Sequence, residues 1–206
     1  CPLRGQSLES RLAAQRSVIR ACRVLGDEPM DRPELAKGIA AASRLTGEFR
    51  LRSGATSTVY WDKYRFESDP KLLQPIARDL ATLLPSGTRL IAGLEMGGIP
   101  VATALSLATG IHCLFVRKAA KGYGTMRVVE GAFNAGQVAV VVEDVVTSGG
   151  QIVSSVADMR SVGLQVSDVV CVVDREQGGV DRLREQGLRL KSLFTQSELE
   201  RYSSAG

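Results

Sequence analysis

Apolar side chains follow a helical period in the first part of the chain. Residues 7–25 carry them in a rough helical stripe. A second helical pattern begins at Asp31, with Pro33 in its first turn and Glu34 three residues after the cap. That spacing is a capping box, which marks a helix N-terminus. We therefore predict two helices, the second of which ends at Gly47.

The period changes to that of a strand at residue 49. The segment 49–66, FRLRSGATSTVYWDKYRF, is rich in β-type residues, including Tyr64 and Phe66, around the turn signal Ser53–Gly54. Such residues on both sides of a turn favour a hairpin or a short ribbon.

From residue 69 onward, helical and sheet-like patterns alternate. Continuous runs of valine, isoleucine and leucine between helices are typical of a parallel sheet that is covered on both faces. We predict an α/β fold with a doubly wound, mainly parallel sheet in a single domain, 1–206. Residues 1–66 would form N-terminal helices and a β hood, and residues 67–206 the core. The predicted helices are 69–84, 98–109, 150–162 and a short one after Thr195, and the predicted strands are 89–94, 112–116, 138–143, 168–173 and 188–194.

The composition agrees with one globular domain and argues against a membrane partner and a disulfide framework. The chain has 206 residues, of which 44% are hydrophobic and 23% charged. No apolar run approaches the roughly 20 residues of a membrane span. The four cysteines show no CxxC spacing, and the single histidine, His112, opens an apolar strand and cannot build a metal cluster. We expect no membrane partner, no disulfide framework and a cytoplasmic location.

The net charge of +4 is mild and unevenly distributed. No basic stripe with interleaved aromatic residues is visible, so we expect no nucleic-acid partner. Positive charge is concentrated in the segment 117–127, RKAAKGYGTMR. This basic loop indicates either a compact anionic ligand or a solvated surface loop, and charge alone does not choose between them.

The run Val138 to Gln151, VAVVVEDVVTSGGQ, carries the strongest chemical signal. Glu143 and Asp144 stand at the end of the predicted strand, and ligands of open parallel sheets lie beyond the carboxyl ends of the strands. The glycines of the following TSGG segment let backbone N–H groups and a helix N-terminus surround an anion. We predict a cradle for a phosphate monoester, with the paired acids facing vicinal sugar hydroxyls, with or without Mg²⁺.

Other interpretations of this run explain less. An ordinary helix N-cap would account for TSGG but not for the adjacent acids. The chain contains no GxxxxGK[ST] motif and no GxGxxG motif that opens a helix after a strand. A Ser/His/Asp triad is excluded because the one histidine lies in a predicted strand.

The segment VVVEDVVTSGG resembles the signature of the type I phosphoribosyltransferases, in which a hydrophobic strand ends in two acids followed by a Thr/Ser/Gly loop. Further segments resemble the orotate phosphoribosyltransferases in particular, in the same order over about residues 45–180. The resemblance implies transfer of the phosphoribosyl group from 5-phosphoribosyl 1-pyrophosphate (PRPP) to orotate, giving orotidine 5′-monophosphate and pyrophosphate in pyrimidine biosynthesis. The segments are FRLRSGATSTVYWDKYRF (49–66), GLEMGGIPVATALSLATG (93–110), FVRKAAKGYG (115–124) and VVDREQGG (172–179).

The resemblance also implies roles for individual residues. The paired acids would hold the ribose hydroxyls, and the basic loop would neutralise the pyrophosphate. The guanidinium of Arg175 would suit the planar edge of the acceptor, orotate. The implied catalytic residues are Lys121, Arg117 and Asp144. The implied PRPP-binding residues are Arg117, Lys118, Lys121, Tyr123, Glu143, Asp144, Val145, Val146, Thr147, Ser148, Gly149, Gly150 and Gln151. The implied orotate-binding residues are Thr147, Arg175 and Arg52.

The resemblance implies Mg²⁺ as the cofactor, bound mainly through the substrate rather than by a set of protein ligands. It also implies a homodimer in which the basic loop closes over the neighbouring subunit's site, so that Arg117 or Lys121 acts in trans. Three positions depart from the family pattern. Tyr123 stands where some members have histidine, Met96–Gly97 where some have lysine, and Arg52 where lysine is common.

Two alternatives stay open at the level of the sequence. The first is a type I phosphoribosyltransferase for another base, against which Arg175 and the segment 49–66 argue. The second is a PRPP-sensing regulator that has lost catalysis. Such a regulator would need a nucleic-acid-binding surface, and Arg11, Arg16, Arg20 and Arg23 in the N-terminal helices are the residues to check for one.

Overall fold

The computed structural model describes residues 30–50, 54, 56–119 and 128–203, and the structural statements below concern these residues. From Asp31 onward they belong to one compact unit. The predicted helix at 7–25 and the predicted site residues Arg52, Lys121 and Tyr123 lie outside the described residues.

Seven helices and eight strands are formed within the described residues. In chain order they are α1 (Arg32–Ser43), β1 (Arg44–Arg50), β2 (Thr56–Trp61), α2 (Tyr64–Glu67), α3 (Pro70–Ala81), β3 (Leu90–Leu94), α4 (Gly98–Thr109), β4 (His112–Val116), β5 (Val129–Glu130), β6 (Val138–Val146), α5 (Gly150–Ser161), β7 (Gln165–Asp174), α6 (Gly179–Glu185), β8 (Arg189–Thr195) and α7 (Gln196–Ser203).

The capping box at Asp31 is confirmed. The Asp31 carboxyl accepts from the Glu34 N–H at 2.8 Å, and the Glu34 carboxyl accepts from the Asp31 N–H at 3.3 Å. The helix ends at Ser43 rather than at Gly47, because Arg44 is already paired with Trp61 in the antiparallel hairpin of β1 and β2. The predicted hairpin is therefore present, and it begins earlier than the helical pattern indicated.

The last part of segment 49–66 is helical, so the β-type interpretation of Tyr64 and Phe66 is wrong. The Asp62 carboxyl accepts from the Tyr64 N–H at 3.2 Å, which turns the chain out of β2. Phe66 is buried with 1% exposure. Local capping and the burial of one ring thus override a β propensity that depends strongly on context. The hood, defined here as β1, β2 and α2, consequently ends in a helical turn.

The core is a six-stranded sheet in the order β5-β4-β3-β6-β7-β8. All neighbouring strands are parallel except β5, which is antiparallel to β4. Every residue of β3 is buried, as expected for a sheet with helices on both faces. The predicted doubly wound, mainly parallel fold is confirmed. No helix in the described part of the chain is long and apolar enough to cross a membrane.

Several boundaries differ from the predicted ones. Strand β6 continues past residue 143 to Val146, because Val145 and Val146 pair with Val173 and Asp174 of β7. Glu143 and Asp144 therefore lie inside a strand instead of following it. Helix α6 and the two-residue strand β5 were not predicted, since both are too short to show a period. Helix α6 starts after Gly178, whose φ of 83° is readily adopted by glycine.

Candidate active site at the carboxyl edge of the sheet

The strand order places a switch point between β3 and β6. From β3 the chain crosses through α4 to β4 on one side, and from β6 it crosses through α5 to β7 on the other. Loops diverge at such a point and leave a crevice at the carboxyl ends of the strands. Gly93 of β3 is in register with Val142 of β6, so the turn after β3 lies beside Glu143 and Asp144.

Two glycines allow that turn to contact the acids. A Cβ atom at Gly97 would lie 1.7 Å from Asp144 Oδ2. A Cβ atom at Gly98 would lie 2.4 Å from the Val142 carbonyl oxygen and 2.7 Å from Glu143 Oε2. Since these distances are far inside van der Waals contact, a side chain at position 97 would displace the turn or the Asp144 carboxyl. The departure from the family pattern at Met96–Gly97 is thus accommodated by a close approach to Asp144.

Asp144 is fully buried, with 0% exposure. Its Oδ2 lies 2.7 Å from Lys63 Nζ, and its Oδ1 accepts from the Val145 N–H at 2.6 Å. Burial lowers the pKa of Lys63, but the adjacent charge and hydrogen bond of Asp144 more than offset burial and leave that pKa raised. A cation from the hood thus reaches the acid that the sequence motif singled out.

Glu67, one helical turn after Lys63, is buried near Asp144. Burial, followed by the hydrogen bond and the negative charge of Asp144, raises the pKa of Glu67 to about 10. Glu67 is 6% exposed, and its Oε1 has no conventional donor among the described residues. Burial and the neighbouring Asp144 charge therefore favour the neutral form of Glu67.

Glu143 is half-buried and contacts the glycine turn rather than the hood. Burial, and then the negative charge of Asp144, raises the pKa of Glu143 well above its ordinary value. The adjacent acids therefore have different surroundings. Asp144 is enclosed by side chains from the hood, whereas Glu143 Oε2 has no hydrogen-bond partner in the described part of the chain.

The predicted phosphate cradle follows directly after β6. Thr147 and Ser148 are exposed, Gly149 has a φ of 72° and caps the 12-residue helix α5, and the first turn of a helix leaves its N–H groups without intrahelical partners. The Val146 side chain is buried, so any contact of that residue with a ligand is made by its backbone. Gln151 donates from its side chain to Ser155 Oγ at 3.3 Å.

Arg175 is held beside this cradle by two elements. Its N–H donates to the Val146 carbonyl at 2.8 Å, and its guanidinium Nε donates to the Gln196 side chain at the start of α7. The next residue, Glu176, accepts from the Ser197 N–H at 2.9 Å. Arg175 also lines a small cavity with Trp61, Lys63 and Val145. Arg175, which is predicted to bind orotate, and the hood therefore line the same cavity at the carboxyl edge of the sheet.

The start of the basic loop is tied to the turn after β3. The Lys118 N–H donates to Glu95 Oε2 at 3.0 Å, and Arg117 Nε lies 3.4 Å from Glu130 Oε1. A further cavity is lined by Glu95, Phe115, Arg117 and Glu130. Arg117 and Lys118 are thus anchored next to the crevice, and the remainder of the loop, with Lys121 and Tyr123, lies outside the described residues.

Comparison with known proteins decides the family. The chain is 46% identical over 172 residues to an orotate phosphoribosyltransferase of Nocardioides sp. (strain ATCC BAA-499 / JS614), covering 84% of this chain and 96% of that protein. The chain belongs to the orotate phosphoribosyltransferase family. It is a transferase, and its function is that family's transfer of the phosphoribosyl group from PRPP to orotate in pyrimidine biosynthesis.

Solved structures of orotate phosphoribosyltransferases have the same fold. The Mycobacterium tuberculosis enzyme in complex with PRPP has a TM-score of 0.71 at 31% identity, covering 82% of this chain and 98% of that one. The Aeropyrum pernix enzyme has a TM-score of 0.71 at 34% identity, covering 84% and 99%. No family model matches the chain.

The structure brings most of the predicted orotate phosphoribosyltransferase site together. Glu143, Asp144, the cradle from Val145 to Gln151 and Arg175 lie at one edge of the sheet, with Arg117 and Lys118 anchored nearby. Sequence reasoning missed Lys63, Glu67 and Gln196. For the first two, a signal was present: a lysine and a glutamate four residues apart face the same side of a helical turn.

A larger cavity of about 900 Å³ lies at the opposite edge of the sheet. Its lining includes Arg89, His112 and Gln137, which stand at or just before the amino ends of their strands. None of the predicted site residues lines it. Since ligands of this architecture lie at the carboxyl ends of the strands, size alone does not make it the active site.

Proposed function

We propose a division of labour among the residues at the carboxyl edge. Glu143 and Asp144 hold the ribose hydroxyls of PRPP, and the segment from Val145 to Gln151 surrounds its 5′-phosphate. The observation that carries this proposal is the close packing of Gly97 and Gly98 on the paired acids at the switch point. This packing brings the turn after β3, the acids and the cradle to one crevice.

On the side of the acceptor base, Arg175, Thr147 and Arg52 bind orotate. A guanidinium donates in a planar fork that matches the carboxylate and carbonyl oxygens of the pyrimidine. The cavity between Arg175 and the hood supports this assignment. Two of its lining residues lie next to Asp144, beside which the ribose is proposed to lie: Lys63 contacts the Asp144 carboxyl and Val145 follows it in the chain.

The reaction breaks the bond from C1 of the ribose to the pyrophosphate oxygen and forms a bond from C1 to the ring nitrogen of orotate, which gives up its proton. Positive charge develops on the sugar and negative charge on the departing pyrophosphate. No covalent nucleophile is needed, because positioning and cations aimed at the leaving oxygens lower the barrier. Arg117, Lys118 and Lys121 supply those cations, with Tyr123 as an additional hydrogen-bond donor to PRPP.

Mg²⁺ fits this proposal as an ion that enters with PRPP. The described residues contain no group of three or more acidic, histidine or cysteine side chains that could hold a metal. The diphosphate and ribose oxygens of the substrate would therefore supply most of its ligands. When bound, Mg²⁺ would neutralise charge on the leaving group, and Glu143, whose Oε2 has no hydrogen-bond partner among the described residues, could hold it through an outer contact.

The direct test mixes the protein with orotate, PRPP and Mg²⁺ and follows the loss of orotate absorbance. Arg175→Ala is expected to raise KM for orotate by roughly 10- to 100-fold, the cost of a lost charge-assisted hydrogen bond. Its KM for PRPP should stay near that of wild type. Arg78→Ala, which removes an exposed arginine on α3, is the matched control. An unchanged KM for orotate in Arg175→Ala would rule out the acceptor role.

We also propose that the protein is a homodimer and that α4 contributes to its interface. Leu107 on this helix is 84% exposed, and Met96 and Phe115, which flank the helix in the chain, are 56% and 38% exposed. Large exposed apolar side chains on and beside one helix support an interaction surface there. A second copy of the chain is the partner that the shared basic loop requires.

Leu107→Glu is expected to shift the protein from dimer to monomer, because a charge buried in the interface loses its hydration. Light scattering would report the mass, and turnover should fall in parallel as the partner's loop is lost. Val162→Glu places the same charge on another exposed apolar residue, outside this surface, and should leave the mass unchanged. A Leu107→Glu dimer would exclude α4 from the interface.

A cytoplasmic location is part of the proposal. It is supported by the thiols of Cys113 and Cys171, which are free within the described residues and suit a reducing compartment.

A further inference from the structure

Lys63 and Glu67 reach Asp144 from the hood, and neither belongs to the predicted site. They lie four residues apart, at the start and the end of α2. Residues at this spacing face the same side of a helical turn. Lys63 Nζ is 2.7 Å from Asp144 Oδ2, and Glu67 is buried close enough to the same carboxyl for Asp144 to raise the pKa of Glu67.

Burial of the Asp144 and Glu67 carboxyl groups costs folding free energy unless other groups pair with them. Asp144 has 0% exposure and Glu67 has 6%. Buried carboxyl groups destabilise the fold unless they are paired and hydrogen-bonded. The Lys63 ammonium faces the Asp144 carboxyl from the side of the hood, the buried Glu67 lies nearby, and the glycine turn at Gly97 closes the other side.

We propose that Lys63 and Glu67 are positioning residues, which hold the Asp144 carboxyl in the single orientation needed to bind the ribose hydroxyls of PRPP. This inference rests on the proposed role of Asp144. Glu67 acts as a neutral hydrogen-bond donor in it, and Lys63 as the compensating charge. Because both residues belong to the hood, which also borders the acceptor cavity, docking of the hood and PRPP binding are coupled.

The proposal separates Glu67 from Lys63 experimentally. Lys63 lines the acceptor cavity, whereas Glu67 does not border it. Glu67→Ala is therefore expected to weaken PRPP binding about 10- to 100-fold, the cost of a hydrogen bond to a charged group, with KM for orotate unchanged. Glu67→Gln keeps a neutral donor of the same shape and should recover most of the affinity.

The measurement is calorimetric titration of the full chain with PRPP and Mg²⁺, for wild type, Asp144→Asn, Glu67→Ala, Glu67→Gln, Lys63→Met and Lys63→Arg. Lys71→Met and Glu185→Ala change exposed residues on other helices and serve as controls. Thermal unfolding of each variant shows whether it folds. Should Lys63→Met or Glu67→Ala unfold, Lys63→Arg and the isosteric Glu67→Gln keep the comparison open. A further readout is the infrared difference spectrum of wild type minus Glu67→Gln near neutral pH, in which the Glu67 proton should give a protonated-carboxyl band.

Each outcome bears on one proposal. If Asp144→Asn binds PRPP as well as wild type, the proposed ribose role of Asp144 fails. If Asp144→Asn is weak but folded Glu67→Ala and Lys63→Met bind normally, the positioning inference fails and the ribose role stands. Equal weakness of Glu67→Gln and Glu67→Ala, or no protonated-carboxyl band, overturns the role of Glu67 as a neutral donor.

Discussion

Gly97→Ala is expected to lower kcat/KM for PRPP by about 100-fold or more while the protein stays folded. The added methyl group would lie 1.7 Å from Asp144 Oδ2, so the turn or the carboxyl must move by more than an ångström. Displacements of about 1 Å in a catalytic constellation can cost about 100-fold in rate. Gly97 has φ −68° and ψ −30°, which alanine adopts readily, so the effect would come from this contact and not from the backbone.

Gly110→Ala is the matched control, because at this position alanine strains the backbone but makes no steric contact, the reverse of Gly97→Ala. Gly110 has a φ of 72°, and nothing lies within 4 Å of a Cβ atom at that position. Alanine there costs about 1–2 kcal/mol in backbone strain but touches no site residue. We expect a lower melting temperature with normal kcat/KM. Wild-type kinetics in Gly97→Ala would show that the turn can retreat from Asp144 without harm, against our account of the crevice.

Lys121→Ala is expected to lower kcat by about 100- to 1000-fold with a small change in KM for orotate. A cation aimed at the leaving pyrophosphate acts mainly in the transition state, and the loss of one such stabilising donor has a cost of this size. The structure supports the placement of the basic loop, since Arg117 and Lys118 are anchored beside the turn after β3 by Glu130 and Glu95. In the proposed mechanism, this loop closes over the bound diphosphate and excludes water.

Steady-state kinetics at saturating Mg²⁺ and both substrates would measure this effect, with Lys71→Ala as a control for loss of an exposed lysine far from the loop. A second arm tests the sharing of the loop between subunits. Mixed dimers of Lys121→Ala with Asp144→Asn should regain activity if the loop acts in trans, because one site then combines an intact loop with intact acids. Wild-type turnover of Lys121→Ala would remove Lys121 from the leaving-group role.

Local sequence was sufficient wherever a feature is built from neighbouring residues. The capping box at Asp31, the helix Gly98–Thr109 and the strand His112–Val116 were all predicted at or near their observed bounds. The cradle after β6 is equally local, since Gly149 and the start of α5 are adjacent in the chain. The repeated apolar runs likewise determine a parallel sheet covered on both faces.

Short elements were decided by tertiary packing. Tyr64 and Phe66 have β-type side chains, yet the cap at Asp62 and the burial of Phe66 make this segment helical. Strand β6 runs three residues beyond its predicted end because β7 offers partners as far as Asp174. Hydrogen bonding between strands distant in sequence leaves no periodic trace in either strand alone.

The sequence by itself determined the sheet, the glycine-containing loop proposed to hold the phosphate, and the position of the paired acids near the end of β6. Only the tertiary structure decided what surrounds Asp144: Lys63 and Glu67 from the hood, and Gly97 from the turn after β3. These contacts join segments that are 47 to 81 residues apart in the chain. Whether a carboxyl is paired, protonated or open to a ligand depends on distances of a few ångströms between such segments, and a local pattern carries no information about those distances.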